Sequence, residues 1–434
     1  MRKIYSLIFV IISLQGFAQQ DTLRVTKDQL VDLVQNNMQI AIDNSEIAVA
    51  EADLLQSRAL YLPNVTLSYT GTTTNNPLMA FGSKLNQAVV TQSDFNPDLL
   101  NNPDNILNFE TKLEVQQPIY NRHGIWQKKA GEVKVNALQL KSERTKEYLE
   151  MEISKAYMQL QLAHKAVKVL EEAKQTTLAN KKLIDNYYNN GMIQKSEVLY
   201  VDVRLNEVES DLFAAKSNVQ NASDYISYLS NQEMGSVIYQ PTDELVYDTS
   251  FGEMDPNLNS ERSDLQAQAK ALEAYDMMIK SSKAKFLPSV NAFGNFALYD
   301  ESPVGFGANG YLVGVMASWN IFDGKKADSE QQKFLAEKDK AETELQNYEK
   351  QSQLELNKAM RDILDANKKV ELTKLAWEQT EEAYRIRKNR FEQGLEKSAD
   401  LLTAETKMSQ KELEFQQAVF EYNAALEYFK YLKK

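Results

Sequence analysis

Cysteine is absent from the 434-residue chain, and histidine occurs only at positions 123 and 164. Without cysteine the chain can form neither disulfides nor thiolate metal sites. It also has no Gly-rich phosphate loop, no Gly-x-Ser-x-Gly motif and no His-Glu-x-x-His motif. These absences argue against an enzyme, and we expect no cofactor and no metal. A lone histidine on a helix is usually structural, and we expect this of His123 and His164.

Positive charge is also in short supply, since 49 Lys and Arg face 61 Asp and Glu and the formal net charge is -12. A nucleic-acid partner would favour a basic face, so the acidity argues against one.

Long apolar runs are lacking as well. The one marked stretch covers residues 4–14, after Arg2 and Lys3 and before the small residues Gly16 and Ala18. It is too short to span a bilayer of roughly 30 Å, and its flanks are typical of an export signal. We therefore predict a signal peptide at residues 1–18. An exported chain of this kind would cross a membrane only with strands, because no later stretch is long and apolar enough for a helix.

The sequence contains an internal duplication. The segment from Ala59 to Val65 (ALYLPNV) recurs from Ala284 to Val290 (AKFLPSV). Further matches follow in the same order: residues 118–121 with 320–323, 188–191 with 391–394, and 228–229 with 431–432. Ordered agreement at separated places indicates two copies. We predict a first repeat at residues 19–230, a connector at 231–257 with a short strand or helix, and a second repeat at 258–434.

The spacing between matches falls from 225 to 202 residues between the first match and the second. Extra residues of the first copy therefore lie between Pro63 and Tyr120. The Asn-, Pro- and Gly-containing stretch at 75–105 accommodates them, and we predict a loop there.

Each copy changes its hydrophobic period along the chain. Residues 27–60 have the spacing of a helix, and alternation then predicts strands at about 64–74, 106–120, 288–299 and 310–322. In the last strand one face carries Tyr311, Val313, Val315, Ala317, Trp319 and Ile321. Strands of about ten residues with one apolar and one polar face suit a membrane barrel. Taken singly, they also suit half-buried strands of a soluble protein.

Very long helices follow the strands. Residues 125–189 contain no proline and only Gly131, which predicts a helix on the order of 95 Å long. Residues 326–392 form its counterpart, and helices of this length suit coiled-coil packing. Gly191 and Gly394 then favour helix ends, because glycine adopts the left-handed conformation without strain. We predict helical hairpins at about 125–230 and 326–434.

Taken in order, these elements resemble the TolC-type outer-membrane factors of Gram-negative efflux and type I secretion systems. The resemblance rests on the helix-Leu-Pro-strand unit, the strand endings Gln117-Pro118-Ile119-Tyr120 and Trp319-Asn320-Ile321-Phe322, and the long helices. It also includes the glycine turns running from Gly191 to Leu199 and from Gly394 to Leu402. It covers nearly all of the chain after the predicted signal.

The resemblance implies an α+β membrane protein of TolC-like fold, acting as a homotrimer in the outer membrane. Each protomer would give four strands to a shared 12-stranded β-barrel, continued by a periplasmic α-helical coiled-coil barrel. The loops near 75–105 and 300–310 would face the exterior. The implied partners are outer-membrane lipid, a periplasmic adaptor (membrane fusion) protein and, through it, an inner-membrane pump.

The resemblance also places candidate functional residues at the periplasmic tip. Gly191 and Gly394 mark the turns that an adaptor would contact, and Glu197 and Asp400 match acidic gate positions. A ring of such carboxylates would attract cations. Alternatively, both acids serve only to start the returning helix, where the helix dipole favours them.

The lock of the best-known family member pairs a tyrosine and an arginine with an aspartate. Here those positions hold Phe391, Glu396 and Glu197. Phe391 has no hydroxyl to donate, and Glu396 opposite Glu197 would repel, so the same lock is not expected.

An exported trimeric coiled-coil surface protein, such as an adhesin or a filament subunit, is the alternative. Long helices would suit it, but the amphipathic strand pairs and the duplication would then have no explanation.

Overall fold

The computed structural model describes residues 21–249, 252 and 254–434. The predicted signal peptide at 1–18 lies outside the described residues. Within them, no helix combines the length and apolar character needed to cross a membrane.

Helices make up most of the described chain. They are α1 (Lys27–Leu33), α2 (Met38–Arg58), α3 (Pro77–Asn86), α4 (Pro97–Asn101), α5 (Arg122–Asn189), α6 (Lys195–Leu229), α7 (Ser263–Ala284), α8 (Lys326–Glu392) and α9 (Ser398–Lys433). The long helices α5 and α8 have 68 and 67 residues. Neither contains proline, and both are rich in Ala, Leu, Glu, Lys and Gln, which favour helix.

The strands are β1 (Asp21–Val25), β2 (Asn64–Thr74), β3 (Ile106–Tyr120), β4 (Val237–Pro241), β5 (Ser289–Asp300) and β6 (Ala308–Ser318). The order helix, strand, strand, long helix, returning helix occurs twice, as α2-β2-β3-α5-α6 and α7-β5-β6-α8-α9.

The chain divides into two compact units. The first comprises the described residues of Met1–Ile42, Glu143–Arg262 and Lys350–Lys434. In it, β1 and β4 pair in parallel, from Asp21 opposite Val237 to Val25 opposite Pro241. Its largest apolar cluster joins these strands and α1 to buried residues of α5 and α6, including Ile153, Leu160 and Ile226.

The second unit comprises Asp43–Ser142 and Ser263–Glu349. It contains an antiparallel sheet in the order β2-β3-β5-β6. Directly opposed residues share a face of a sheet, and the register therefore shows which side chains lie together. One row is Leu67, Leu113, Phe296 and Tyr311, and the next is Val65, Val115, Gly294 and Val313.

The opposite face of this sheet is more polar. Its rows include Ser68, Lys112, Ala297 and Gly310, then Thr66, Glu114, Asn295 and Leu312. Lys112 and Glu114 form an ion pair at 2.9 Å. The alternation predicted for separate strands thus yields one apolar and one mainly polar face across the whole sheet.

The last strand is shorter than predicted. We expected it to continue to residue 322, but β6 ends at Ser318, opposite Ser289. The preceding Pro288 has no N–H to extend the ladder, and the Trp319 indole instead donates to the Phe286 carbonyl at 2.8 Å. Trp319 and Ile321 therefore do not continue the strand face.

The segment at 75–105 is not a plain loop, because it contains α3, a 3-10 turn at Gln92–Phe95, and α4. Two Asn-Pro pairs explain the difference. The Asn76 side chain accepts from the Met79 N–H and Pro77 takes the first helical position, and Asn96 and Pro97 do the same for α4. Asn-Pro suits a turn, but equally suits an N-cap followed by the first residue of a helix.

The helix predicted at 27–60 is interrupted. Asn37 adopts an extended conformation between the 3-10 turn Val34–Asn36 and α2. Its side chain donates to the Leu229 carbonyl at 2.8 Å and accepts from the Gln39 N–H at 2.8 Å. This polar side chain competes with the helical hydrogen bonds, so one periodic stretch forms two helices.

Candidate functional site at the helical turns

The two glycine turns have matching geometry. Gly191 and Gly394 have φ values of +71° and +70°. Gly191 N–H donates to Tyr188 O at 2.9 Å, and Met192 N–H to Tyr187 O at 2.8 Å. The same pair of bonds, both 2.9 Å long, runs from Gly394 to Phe391 and from Leu395 to Arg390. Both turns are Schellman caps, and a side chain at either glycine would be strained.

Glu197 joins the two hairpins. It lies in the first turn of α6, and its carboxylate accepts a hydrogen bond from the Ser398 hydroxyl at the start of α9. Glu197 therefore bonds the other hairpin in addition to lying where the dipole of α6 favours an acid. Asp400 occupies the first turn of α9, where its exposed carboxylate lies 4.0 Å from the Arg387 guanidinium.

Glu396 is neutralised within its own hairpin. Its two carboxylate oxygens accept from Arg387 and from Arg390, each at 2.9 Å. The expected repulsion between Glu396 and Glu197 took no account of these two arginines, which balance the charge of Glu396 within its own hairpin.

Phe391 is buried at the turn of the second hairpin, where the residue is only 2% exposed. Its ring lies 5.5 Å from that of Tyr187, and the Tyr187 hydroxyl donates to the Glu392 carbonyl at 3.0 Å. Both residues belong to an apolar cluster that also includes Ile184, Val201 and Leu401. Phe391 thus holds the first hairpin against the second by packing.

A buried polar group, missed by the sequence analysis, lies next to this cluster. Glu405 on α9 is fully buried and accepts from the Thr177 hydroxyl and, at 2.6 Å, from the Asn180 amide on α5. The Arg204 Nε is 3.9 Å away. Burial raises the pKa of Glu405, against the opposing effects of Thr177, Asn180 and Arg204. The sequence carried a signal for this buried acid, because Glu405 shares one helix face with the apolar residues Leu401 and Met408.

Each histidine lies within hydrogen-bond distance of a backbone carbonyl. The His123 Nδ1 lies 3.1 Å from the Ser281 carbonyl, and the His164 Nε2 lies 3.0 Å from the Tyr239 carbonyl. Across residues 21–249, 252 and 254–434, no group of three or more His, Asp or Glu side chains is placed to hold a metal ion.

Comparison with known proteins assigns the family. A model of the outer membrane efflux protein family matches residues 30–231 and 256–427, most of the chain. The chain belongs to the outer membrane efflux protein family. This is a family of transport channels rather than enzymes. No curated protein matches the chain by sequence.

Solved outer-membrane channels share the fold of this family member. The CmeC channel of Campylobacter jejuni is similar with a TM-score of 0.78 at 16% identity, over 94% of this chain and 85% of that one. VceC of Vibrio cholerae is similar with a TM-score of 0.74 at 17% identity, over 93% of this chain and 95% of that one. The open state of the MtrE channel of Neisseria gonorrhoeae is similar with a TM-score of 0.75 at 14% identity, over 94% of this chain and 88% of that one.

Proposed function

We propose that this member of the outer membrane efflux protein family acts as a homotrimeric duct in the outer membrane of a Gram-negative bacterium. It would carry substrates outward from an inner-membrane pump, which it reaches through a periplasmic adaptor protein. Within the chain, residues 19–230 and 258–434 would be the two functional repeats, joined by the connector at 231–257. Family membership gives no support to the adhesin or filament alternative.

The observation that carries the proposal is the four-stranded sheet with two open edges. Strands β2 and β6 are its edges, and neither pairs with a further strand in the described part of the chain. An open edge in hydrocarbon would leave backbone groups without hydrogen bonds. Three copies joined edge to edge would close a 12-stranded barrel, with the row of Leu67, Leu113, Phe296 and Tyr311 facing lipid.

The helical turns would form the periplasmic end of this duct. Gly191 and Gly394 would shape the tips that the adaptor contacts, and Glu197 and Asp400 would line the entrance. Three copies of each acid would give six carboxylates, which attract cations. Phe391 would support this gate through packing, while Glu396 would hold Arg387 and Arg390 in place.

Single-channel conductance of the detergent-purified protein in a planar bilayer, with its mass determined in parallel, tests the proposal. We expect a trimer with small channels that added cations inhibit. A water-soluble monomer without conductance would overturn the proposal.

A further inference from the structure

Three cations surround one tryptophan in the second unit. The Trp126 ring centroid lies 4.7 Å from the Lys129 Nζ, 5.0 Å from the Lys280 Nζ and 5.2 Å from the Arg122 guanidinium carbon. All three distances allow a cation–π interaction. Arg122, Trp126 and Lys129 are spaced four and three residues apart, so they share one face of α5. Lys280 comes from α7.

The positive charge of this cluster is not balanced. None of Arg122, Lys129 and Lys280 forms an ion pair with another described residue, and all three are exposed. Neighbouring acids are already engaged: Asp276 with Lys338, Glu132 with Lys128, and Glu330 with Lys285. Like charges that converge without an acid repel one another. An anion between them would relieve this repulsion.

The cluster lies at one end of the strands. Arg122 follows the end of β3 at Tyr120, and Lys280 is in the last part of α7, shortly before β5 begins at Ser289. Other cations flank the same strand ends, namely Arg58, Lys283, Lys285, Lys325 and Lys326, and the acid between β6 and α8 is Asp323, which caps α8. The loops at the opposite ends carry Asp94, Asp98, Asp104, Asp300 and Glu301 but only Lys84. The two ends of the sheet therefore differ in charge, within a chain that is acidic as a whole.

We propose that Arg122, Lys129 and Lys280 bind the phosphate of an anionic phospholipid in the leaflet at the helical end of the strands. This inference rests on the proposed function, because it requires the sheet to lie in a bilayer. Tryptophan is enriched at membrane interfaces, and Trp126 would lie between headgroup and acyl chain. A lipid fits better than free phosphate because the cluster lies just beyond the ends of strands whose apolar face an acyl chain can cover. Guanidinium and ammonium groups are suited to phosphate oxygens.

Fluorescence of Trp126 provides a direct test. In a background of Trp319→Phe and Trp377→Phe it is the only tryptophan of the chain. The full-length protein in detergent is titrated with short-chain phosphatidylglycerol, with phosphatidylcholine of the same chain length, and with inorganic phosphate. Each cation near an anionic lipid strengthens binding about fivefold. We therefore expect saturation by phosphatidylglycerol at a concentration at least about tenfold lower than by phosphatidylcholine.

A triple neutralisation, Arg122→Gln with Lys129→Gln and Lys280→Gln, should reduce this preference to about twofold or less. The matched control removes the same charge from exposed lysines of the first unit, as Lys182→Gln, Lys358→Gln and Lys407→Gln, and should keep the preference.

Equal titration by the two lipids, or an equal loss in the control, would overturn the lipid site. A response to inorganic phosphate as strong as that to phosphatidylglycerol would also overturn it, in favour of a site for free anions. The conductance measurement separates the two proposals. A trimer that conducts without lipid preference refutes only the lipid site, whereas a water-soluble monomer refutes the duct.

Discussion

The Asn180 amide on α5 donates a 2.6 Å hydrogen bond to the buried carboxylate of Glu405 on α9. This bond joins the first helical hairpin to the second, as does the bond from Thr177 to the same carboxylate. The Glu197–Ser398 contact joins the hairpins again at their turns. These three hydrogen bonds, the Tyr187–Glu392 hydrogen bond and the apolar cluster around Phe391 therefore join the hairpins of one protomer.

Replacing Glu405 with Ala should destabilise the protein markedly. The change leaves a cavity, removes the acceptor that Thr177 and Asn180 share, and takes away one of the two acids near Arg204. Together these losses should cost about 3 kcal/mol. Glu405→Gln retains an acceptor and a similar shape, so we expect a loss of about 1 kcal/mol. Thermal unfolding of the purified Ala and Gln variants measures both losses of stability. Equal melting temperatures for the Ala variant and the wild type would refute the clamping role.

Glu405 should also give the stability a defined pH dependence. Burial raises its folded-state pKa above the ordinary value of 4.5, so the folded protein holds this proton to a higher pH than the unfolded chain does. The free energy of unfolding should therefore fall as the pH rises from about 4.5 to the raised folded pKa, then become independent of this group. The measurement is the difference in melting temperature between the wild type and Glu405→Gln across this range. A difference that does not change with pH would contradict the prediction.

Hydrophobic periodicity and the positions of glycine and proline predicted the long helices, the helical hairpins and the glycine turns, because each of these features depends on residues close together in the sequence. Gly191 and Gly394 show this most directly, since a glycine directly after a long helix favours the left-handed conformation. Strand β1 was not predicted, because its partner β4 lies more than 200 residues away and the five residues of β1 carry little periodic signal.

The candidate site was predictable to a lesser degree, because tertiary contacts decide which side chains its residues bind. Alignment of the repeats placed Glu197 and Asp400 at matching positions, but it did not reveal that Ser398 binds Glu197. Nor did it show that Arg387 and Arg390 neutralise Glu396. These pairs depend on how side chains meet across turns and between hairpins, which a linear pattern does not specify.

Removing the two proposed entrance acids should weaken inhibition of the channel by divalent cations. In the double variant Glu197→Ala with Asp400→Ala, a trimer would lose six carboxylates, and the concentration for half-inhibition should rise several-fold. Glu396→Ala is the control, because two arginines already neutralise that acid. Unchanged inhibition in the double variant would refute the gate role, leaving Glu197 with its hydrogen bond to Ser398 and Asp400 with its place in the first turn of α9.

A charge on the apolar face of the sheet should impair membrane assembly. Val313 lies at the middle of β6, and Val313→Arg would place a cation in lipid at a cost of roughly 2–4 kcal/mol near the midplane. The control Thr66→Arg lies on the opposite face, directly across from Glu114, and should assemble normally. The yield of heat-resistant trimer in isolated outer membranes measures both. Normal assembly of Val313→Arg would refute the assignment of this face to lipid.

Gln87 should hold the segment at 75–105 against the strand ends. Its side-chain amide donates to the Leu107 carbonyl at 2.8 Å, to the Asn108 side chain at 2.9 Å and to the Asp300 carbonyl at 3.3 Å. Gln87→Ala removes all three bonds at a buried position, and we expect local opening to become easier by about 1–3 kcal/mol.

Limited proteolysis of intact cells checks this expectation, since the segment is proposed to face the exterior. Gln87→Ala should be cleaved within residues 75–105 at least several times faster than the wild type, with unchanged trimer yield. The exposed Gln92 of the same segment supplies the control, and Gln92→Ala should be cleaved at the wild-type rate. Loss of trimer in Gln87→Ala would mean that this amide is needed for sheet assembly rather than for anchoring the external segment.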